Sequence, residues 1–281
     1  MSNKPHLYFY LPQLLQPLPL WRRDFAFIPI APHLLRLLAR AQQQILPRQG
    51  LENTVLVQCG YVLPEELPLA YYRYWLDFGV VPTQPLACAD PVCLQSGIDQ
   101  VRLLPDLPCP TVEQVNGLLQ TLNQHLAEDG LQLVARHPQR WYLLGERLCE
   151  SPLRTVPLSQ ALGQGIFPLL PQGEKRYWHR LLNEIQMLLH SSAVANVNAL
   201  WLWGVSDPAQ TPPPAAPQQH GIGTHVLAEL LPLLTHGTQQ SASTLMACEL
   251  QPGQHYHIIL DALTNVALKD DMQDWQQTLD W

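Results

Sequence analysis

Residues 181–204, LLNEIQMLLHSSAVANVNALWLWG, join two patterns that leave little freedom in how the chain folds. In the first half Leu181, Leu182, Ile185, Leu188 and Leu189 recur at the spacing of one helical face. With Trp178 on the same face, they predict an amphipathic helix over 174–190. In the second half Ala199 to Trp203 are apolar at successive positions, with Trp201 and Trp203 on one face. A strand covered on both faces is expected there, as in the middle of a parallel sheet.

The same helix carries a second pattern. His179, Asn183, Gln186 and His190 fall at i, i+4, i+7 and i+11, a narrow sector beside the apolar stripe. A solvated face is ordinarily rich in Lys and Glu. Amides and imidazoles in a row suggest hydrogen bonds, either to the protein's own backbone or to a partner or small ligand.

Composition bounds the class. Of 281 residues 47% are hydrophobic and 14% charged, enough apolar surface for a well-filled core and too much for disorder. The net charge of −7 and the lack of a Lys/Arg block argue against direct nucleic-acid binding, which needs a basic stripe to neutralise phosphates. Prolines at 5, 12, 17 and 19 interrupt the apolar N-terminus, so neither a signal peptide nor a membrane span is expected. Six cysteines without a CxxC read as reduced thiols of a cytoplasmic protein.

The remaining pattern alternates short strands and helices. Strands are expected at 6–11, 54–58, 244–250 and 255–261, and helices at 31–44, 64–78, 225–235 and 269–281. Between them, 86–144 reads as two strands about a Ser96-Gly97 turn, a helix capped by Thr111, and a hairpin about 137–140. The segment 208–223 is proline-rich and reads as a flexible loop. The fold class is α/β: a discontinuous core lobe (1–85 and 197–281) around a largely parallel sheet, with an inserted α+β lobe at 86–196. A cleft between lobes is the expected place for a ligand.

Several segments occur in an order that resembles the RpfE-type regulatory protein family of proteobacteria: ADPVCL (89–94), LNQHLAEDGLQL (122–133), RWYL (140–143), LLNEIQMLLH (181–190) and VNALWLWG (197–204). That family is phosphoglycerate-mutase-like and distantly similar to the archaeal-type cofactor-independent mutases. The resemblance therefore implies a core sheet of alkaline-phosphatase type, and a further segment beyond Trp281. It also implies where two metals and a Ser or Thr nucleophile would sit. The sequence departs from that chemistry, because no carboxylate precedes Asp24 where the first strand should end in a ligand.

Binding candidates are Asp90, beside Pro91 in a strand; Asn123, late in a helix; the row His179, Asn183, Gln186 and His190; and Asn198, Trp201 and Trp203. His255 and His257 share a strand face and are weak metal candidates needing a third ligand. No catalytic residue and no cofactor are expected. These readings favour a non-catalytic regulatory or adaptor protein that binds a protein partner or small metabolite. A metal-dependent phosphomutase-like enzyme and an accessory subunit of a nucleic-acid enzyme are the alternatives.

Overall fold

The computed structural model describes residues 4–12, 14, 17–42, 50–60, 67–192, 194, 196–210, 218–240 and 248–279. The chain opens with β1 (His6–Tyr10), followed by helices α1 (Leu18–Phe25), α2 (Pro32–Leu38), α3 (Gly50–Gln58) and α4 (Leu69–Phe78). Next come β2 (Leu86–Val92) and a small hairpin, β3 (Leu94–Ser96) and β4 (Val101–Leu103). Helix α5 (Val112–Leu126) leads into the hairpin β5 (Gln132–His137) and β6 (Arg140–Leu144). Two helices, α6 (Leu158–Ala161) and α7 (Lys175–Ser191), then precede β7 (Ala199–Ser206). The C-terminal part runs β8 (Gln219–Ile222), α8 (Val226–Thr235), β9 (Gln239–Gln240), β10 (His255–Ile259), α9 (Ala262–Leu268) and α10 (Met272–Leu279).

The fold is mixed α/β, with a parallel sheet ordered β1-β10-β8-β9 and an antiparallel sheet ordered β5-β6-β2-β7. Local chemistry accounts for several elements. Thr111 begins α5 through a capping box: its hydroxyl accepts from Gln114 N, and the Gln114 side chain accepts from Thr111 N. Helix α4 stops at Gly79, whose φ of 72° closes the last turn in a left-handed conformation. Gly221 in β8 is required by packing, since a Cβ there would lie 2.0 Å from the Ala228 carbonyl oxygen of α8.

Four expectations are corrected. The strand expected at 54–58 is the helix α3, because Glu52, Val55, Leu56 and Cys59 are buried at helical, not alternating, spacing. Strand β7 is not the middle of a parallel sheet; it pairs antiparallel with β2 at one edge of the other sheet. It is apolar on both faces because Trp201 and Trp203 join a core with α4, while Leu200 and Leu202 join one with α5 and α7. The proline-rich stretch 208–223 contains the fully buried strand β8, with 211–217 outside the described residues. Of the strand expected at 244–250, residues 244–247 lie outside the described residues, and 248–250 are not in a strand.

A packed core joins the two sheets. Leu69, Ala70 and Tyr72 of α4 share one buried cluster with Leu227, Leu230, Leu231 and Leu234 of α8, and with Leu86, Trp201 and Trp203 of the antiparallel sheet. Because Gly221 lets α8 approach β8, Gly221→Ala should destabilise the protein by about 1–3 kcal/mol, the range for overpacking a filled core. Urea unfolding of wild type and variant measures this directly.

Candidate functional site

The singled-out residue Asp90 sits at the centre of a buried polar cluster. Arg73 of α4 reaches it with two parallel hydrogen bonds, Nη1 to Oδ2 at 2.8 Å and Nη2 to Oδ1 at 2.7 Å. The two side chains are 4% and 2% exposed, so this is a fully buried, bidentate ion pair. Trp203 Nε1 donates to the same carboxylate at 2.8 Å, and Trp141 N does so at 3.3 Å. The guanidinium also donates to Tyr142 Oη and the Trp141 carbonyl, and lies over the Tyr142 and Trp203 rings. Burial opposes the Arg73 charge, but Asp90, Cys88 and Tyr142 together outweigh it and hold the guanidinium well above its ordinary pKa.

The cluster continues outward. Tyr142 donates to Asp77 Oδ2 at 2.5 Å, Arg140 pairs with Asp77 at 2.9 Å, and its other amine reaches Glu229 of α8 at 3.2 Å. Asp90, Arg73, Tyr142, Asp77, Arg140 and Glu229 thus link β2 of the antiparallel sheet, through α4, to the helix that packs on the parallel one. The inner groups spend their charge on one another, leaving no nucleophile or base directed at solvent.

The other candidates have local partners. Asn123 exchanges two hydrogen bonds with the backbone of Leu133, and Asn198 exchanges two with that of Leu94. Each amide takes the place of a missing strand neighbour. Trp201 Nε1 donates to the Val156 carbonyl. Along α7, His179 Nε2 meets the Pro171 carbonyl oxygen at 3.1 Å, Gln186 is half-buried, and Asn183 and His190 are exposed.

His255 and His257 do share a face, and tyrosines occupy it with them. The Tyr8 hydroxyl lies 3.0 Å from His255 Nδ1, and the Tyr10 hydroxyl lies 2.8 Å from His257 Nδ1. The rings of His6, His255, Tyr8, His257 and Tyr10 form successive stacked contacts along β1 and β10. His257 is completely buried, with Nε2 2.8 Å from Gln219 Oε1 and 3.7 Å from Cys59 Sγ. This pattern suits an imidazole protonated at Nε2 that accepts the tyrosine proton at Nδ1. Burial, followed by His255 and His220, lowers the His257 pKa to about 4, and burial pushes the Cys59 thiol up to about 12. Among the described residues no group of three His, Cys, Asp or Glu side chains could hold a metal ion.

One feature escaped the sequence reading. Trp21 and Trp275, each 1% exposed, pack edge-on with Phe27 and fix α1 and the following strand-like segment onto α10. The Gln276 amide clamps the Ile30 backbone, accepting from N at 2.9 Å and donating to O at 2.7 Å. Held in this way, Phe25, Ile28, Ile30, Leu35 and Leu38 are 63%, 77%, 68%, 63% and 53% exposed. These five exposed apolar side chains all fall between residues 25 and 38. The sequence signal was present in FAFIPIAPHLLRLL, but apolar residues are assigned to a core by default.

No protein-family model matches the chain, nor does any curated protein. Among solved structures the chain is similar to a cofactor-independent phosphoglycerate mutase from Thermoplasma acidophilum, at 15% identity and a TM-score of 0.37, over 100% of this chain and 83% of that one. At that distance the similarity decides neither fold family nor function, and function has to be argued from side chains. Among the described residues no helix is long and apolar enough to cross a membrane.

Two measurements test these assignments. Asp90→Asn leaves the Arg73 charge buried without its counterion and should cost about 3–5 kcal/mol in urea unfolding, with most of the loss recovered in Arg73→Met/Asp90→Leu. His257 is neutral in the fold and accepts a proton more readily when unfolded. Its contribution is therefore complete above the ordinary value of 6.5 and is lost as pH falls from there toward 4, by about 3 kcal/mol. Urea midpoints between pH 7.5 and pH 4 should fall accordingly, and His257→Gln should flatten that part of the profile.

Proposed function

We propose that this chain is a non-catalytic regulatory or adaptor protein that binds another protein through the surface formed by α1, α2 and the segment between them. The observation that carries the reading is the outward display of Phe25, Ile28, Ile30, Leu35 and Leu38 on a backbone held in place by Trp21, Trp275 and Gln276. Rigid apolar side chains of this kind bind at low entropic cost, because their backbone is already fixed. The buried ionic cluster favours the same reading, since its inner groups are paired with each other. The regulatory part of the proposal rests on the segments that resemble the RpfE-type family.

The scaffold would be an alkaline-phosphatase-type core carrying an insertion. Support comes from the chain path: β1 lies in the same parallel sheet as β8, β9 and β10, while the antiparallel sheet is made from the intervening sequence. In this division β7 goes with the insertion, so the expected boundary at 196 moves beyond Ser206.

Ile28→Asp/Ile30→Asp tests the binding surface. Both side chains point to solvent, so the change should leave stability within about 0.5 kcal/mol. Affinity capture with the wild-type chain as bait should recover a protein that the variant fails to recover. Equal recovery by both baits would remove this surface from the function.

A further inference from the structure

Strand β1 is held to the fold by little apolar burial. It lies at the edge of the parallel sheet, pairs with β10 alone, and of its five residues only Tyr10 is buried. A polar seam supplies much of the remaining contact. Tyr8 Oη lies 3.0 Å from His255 Nδ1, and Tyr10 Oη lies 2.8 Å from His257 Nδ1. A phenol can donate to an imidazole nitrogen only while that nitrogen keeps its lone pair. His257 Nε2 meets Gln219 Oε1 at 2.8 Å on the other side, so this ring carries one proton and has no acceptor for a second. The rings of His6 and His255 stack with centroids 4.6 Å apart, and those of Tyr8 and His257 with centroids 4.8 Å apart.

We propose that this seam is an acid-sensitive latch, in which a proton taken up at Nδ1 of His255 or His257 releases β1 from β10 while the rest of the fold stays closed. An imidazolium formed there would lose the tyrosine proton it accepts and would sit among groups that cannot offset its charge. Facing the seam are the imidazoles of His6 and His220, the Cys59 thiol of α3 and the neutral amide of Gln219. The ionic groups of the packed helices are engaged elsewhere. Glu52 of α3 holds the Ser159 hydroxyl, Glu229 of α8 pairs with Arg140, and Arg73 and Asp77 of α4 belong to the Asp90 cluster. His225 caps α8 by accepting from Leu227 N, and Lys4, Glu249 and Asp261 are exposed. Release is local because β10 keeps β8 on its other side, and the antiparallel sheet contains no part of β1. Opening leaves β10 with a row of unpaired backbone groups, an edge on which another strand can add.

The direction with pH follows from the closed seam. Burial, followed by His255 and His220, lowers the His257 pKa to about 4, and burial, followed by His6, lowers that of His255. In the open strand the imidazoles return toward the ordinary value of 6.5, so opening takes up protons. The latch is therefore fully closed above that value and weakens as pH falls below it.

Hydrogen exchange on the full chain, read peptide by peptide and corrected for the intrinsic rate at each pH, tests this. Between pH 7.5 and pH 5 the protection of residues 6–10 should fall about thirtyfold from His257 alone, while β2, β6 and β7 keep theirs. His257→Gln has an amide that does not titrate and should remove most of that fall. Should this buried variant fail to fold, His255→Gln at its half-buried position and Tyr10→Phe, which removes the hydroxyl, should each show a smaller fall than wild type. Loss of protection in all strands together would make the effect global and overturn the latch. Unchanged protection of residues 6–10 between the two pH values would overturn it as well, and so would a fall of wild-type size in the variants.

Discussion

The buried pair of Arg73 and Asp90 is the constraint around which the two sheets are arranged. Taking two charges out of water is unfavourable unless every lone pair and proton finds a partner. That requirement fixes Tyr142, the Trp141 backbone and Trp203 around the pair. Because Arg73 lies on α4 and Asp90 on β2, helix and sheet can approach in one register only. Asp77, one turn further along α4, then turns the same demand toward Arg140 and α8. A hydrophobic replacement of similar volume could be as stable. The ionic version also specifies geometry, since any slip of α4 along the sheet strands a charge.

Parts of this were readable in the sequence. Asp90, singled out as a binding candidate, stands in an apolar strand, where a lone carboxylate needs a partner, and that partner is Arg73. The partner was not readable, because nothing in YYRYWLDF says which strand the arginine will face. The helix α7 and the capping box at Thr111 follow from local spacing and were visible for that reason. Strand β8 was hidden because QHGI lacks the apolar alternation of a strand; its buried polar groups are satisfied by residues distant in sequence, Gln219 by His257 and His220 by Thr238. The error over β7 has the opposite cause. Its apolar residues were read correctly as covered on both faces, but helices on both sides of an antiparallel sheet produce the same pattern.

The candidate binding residues divide along the same line. Asn123 and Asn198 were noticed as amides in unusual places, and both replace backbone partners that a loop could not supply. The apolar run around Ile28 and Ile30 was visible, but that it stays exposed is a property of the finished fold.

The register of β1 against β10 has a consequence for how the protein is made. Tyr8 pairs with His257 and Tyr10 with Ile259, contacts that span almost the whole chain. Strand β1 is synthesised long before β10, while β2, β5, β6 and β7 can close their sheet in the interval. Non-local pairing of this kind slows folding, because the entropy of closing the loop is lost before any contact forms. Throughout that interval Tyr10 and Trp21 lack the C-terminal residues that bury them. Until β10 and α10 have been made, this stretch of the nascent chain keeps apolar side chains without the partners that bury them.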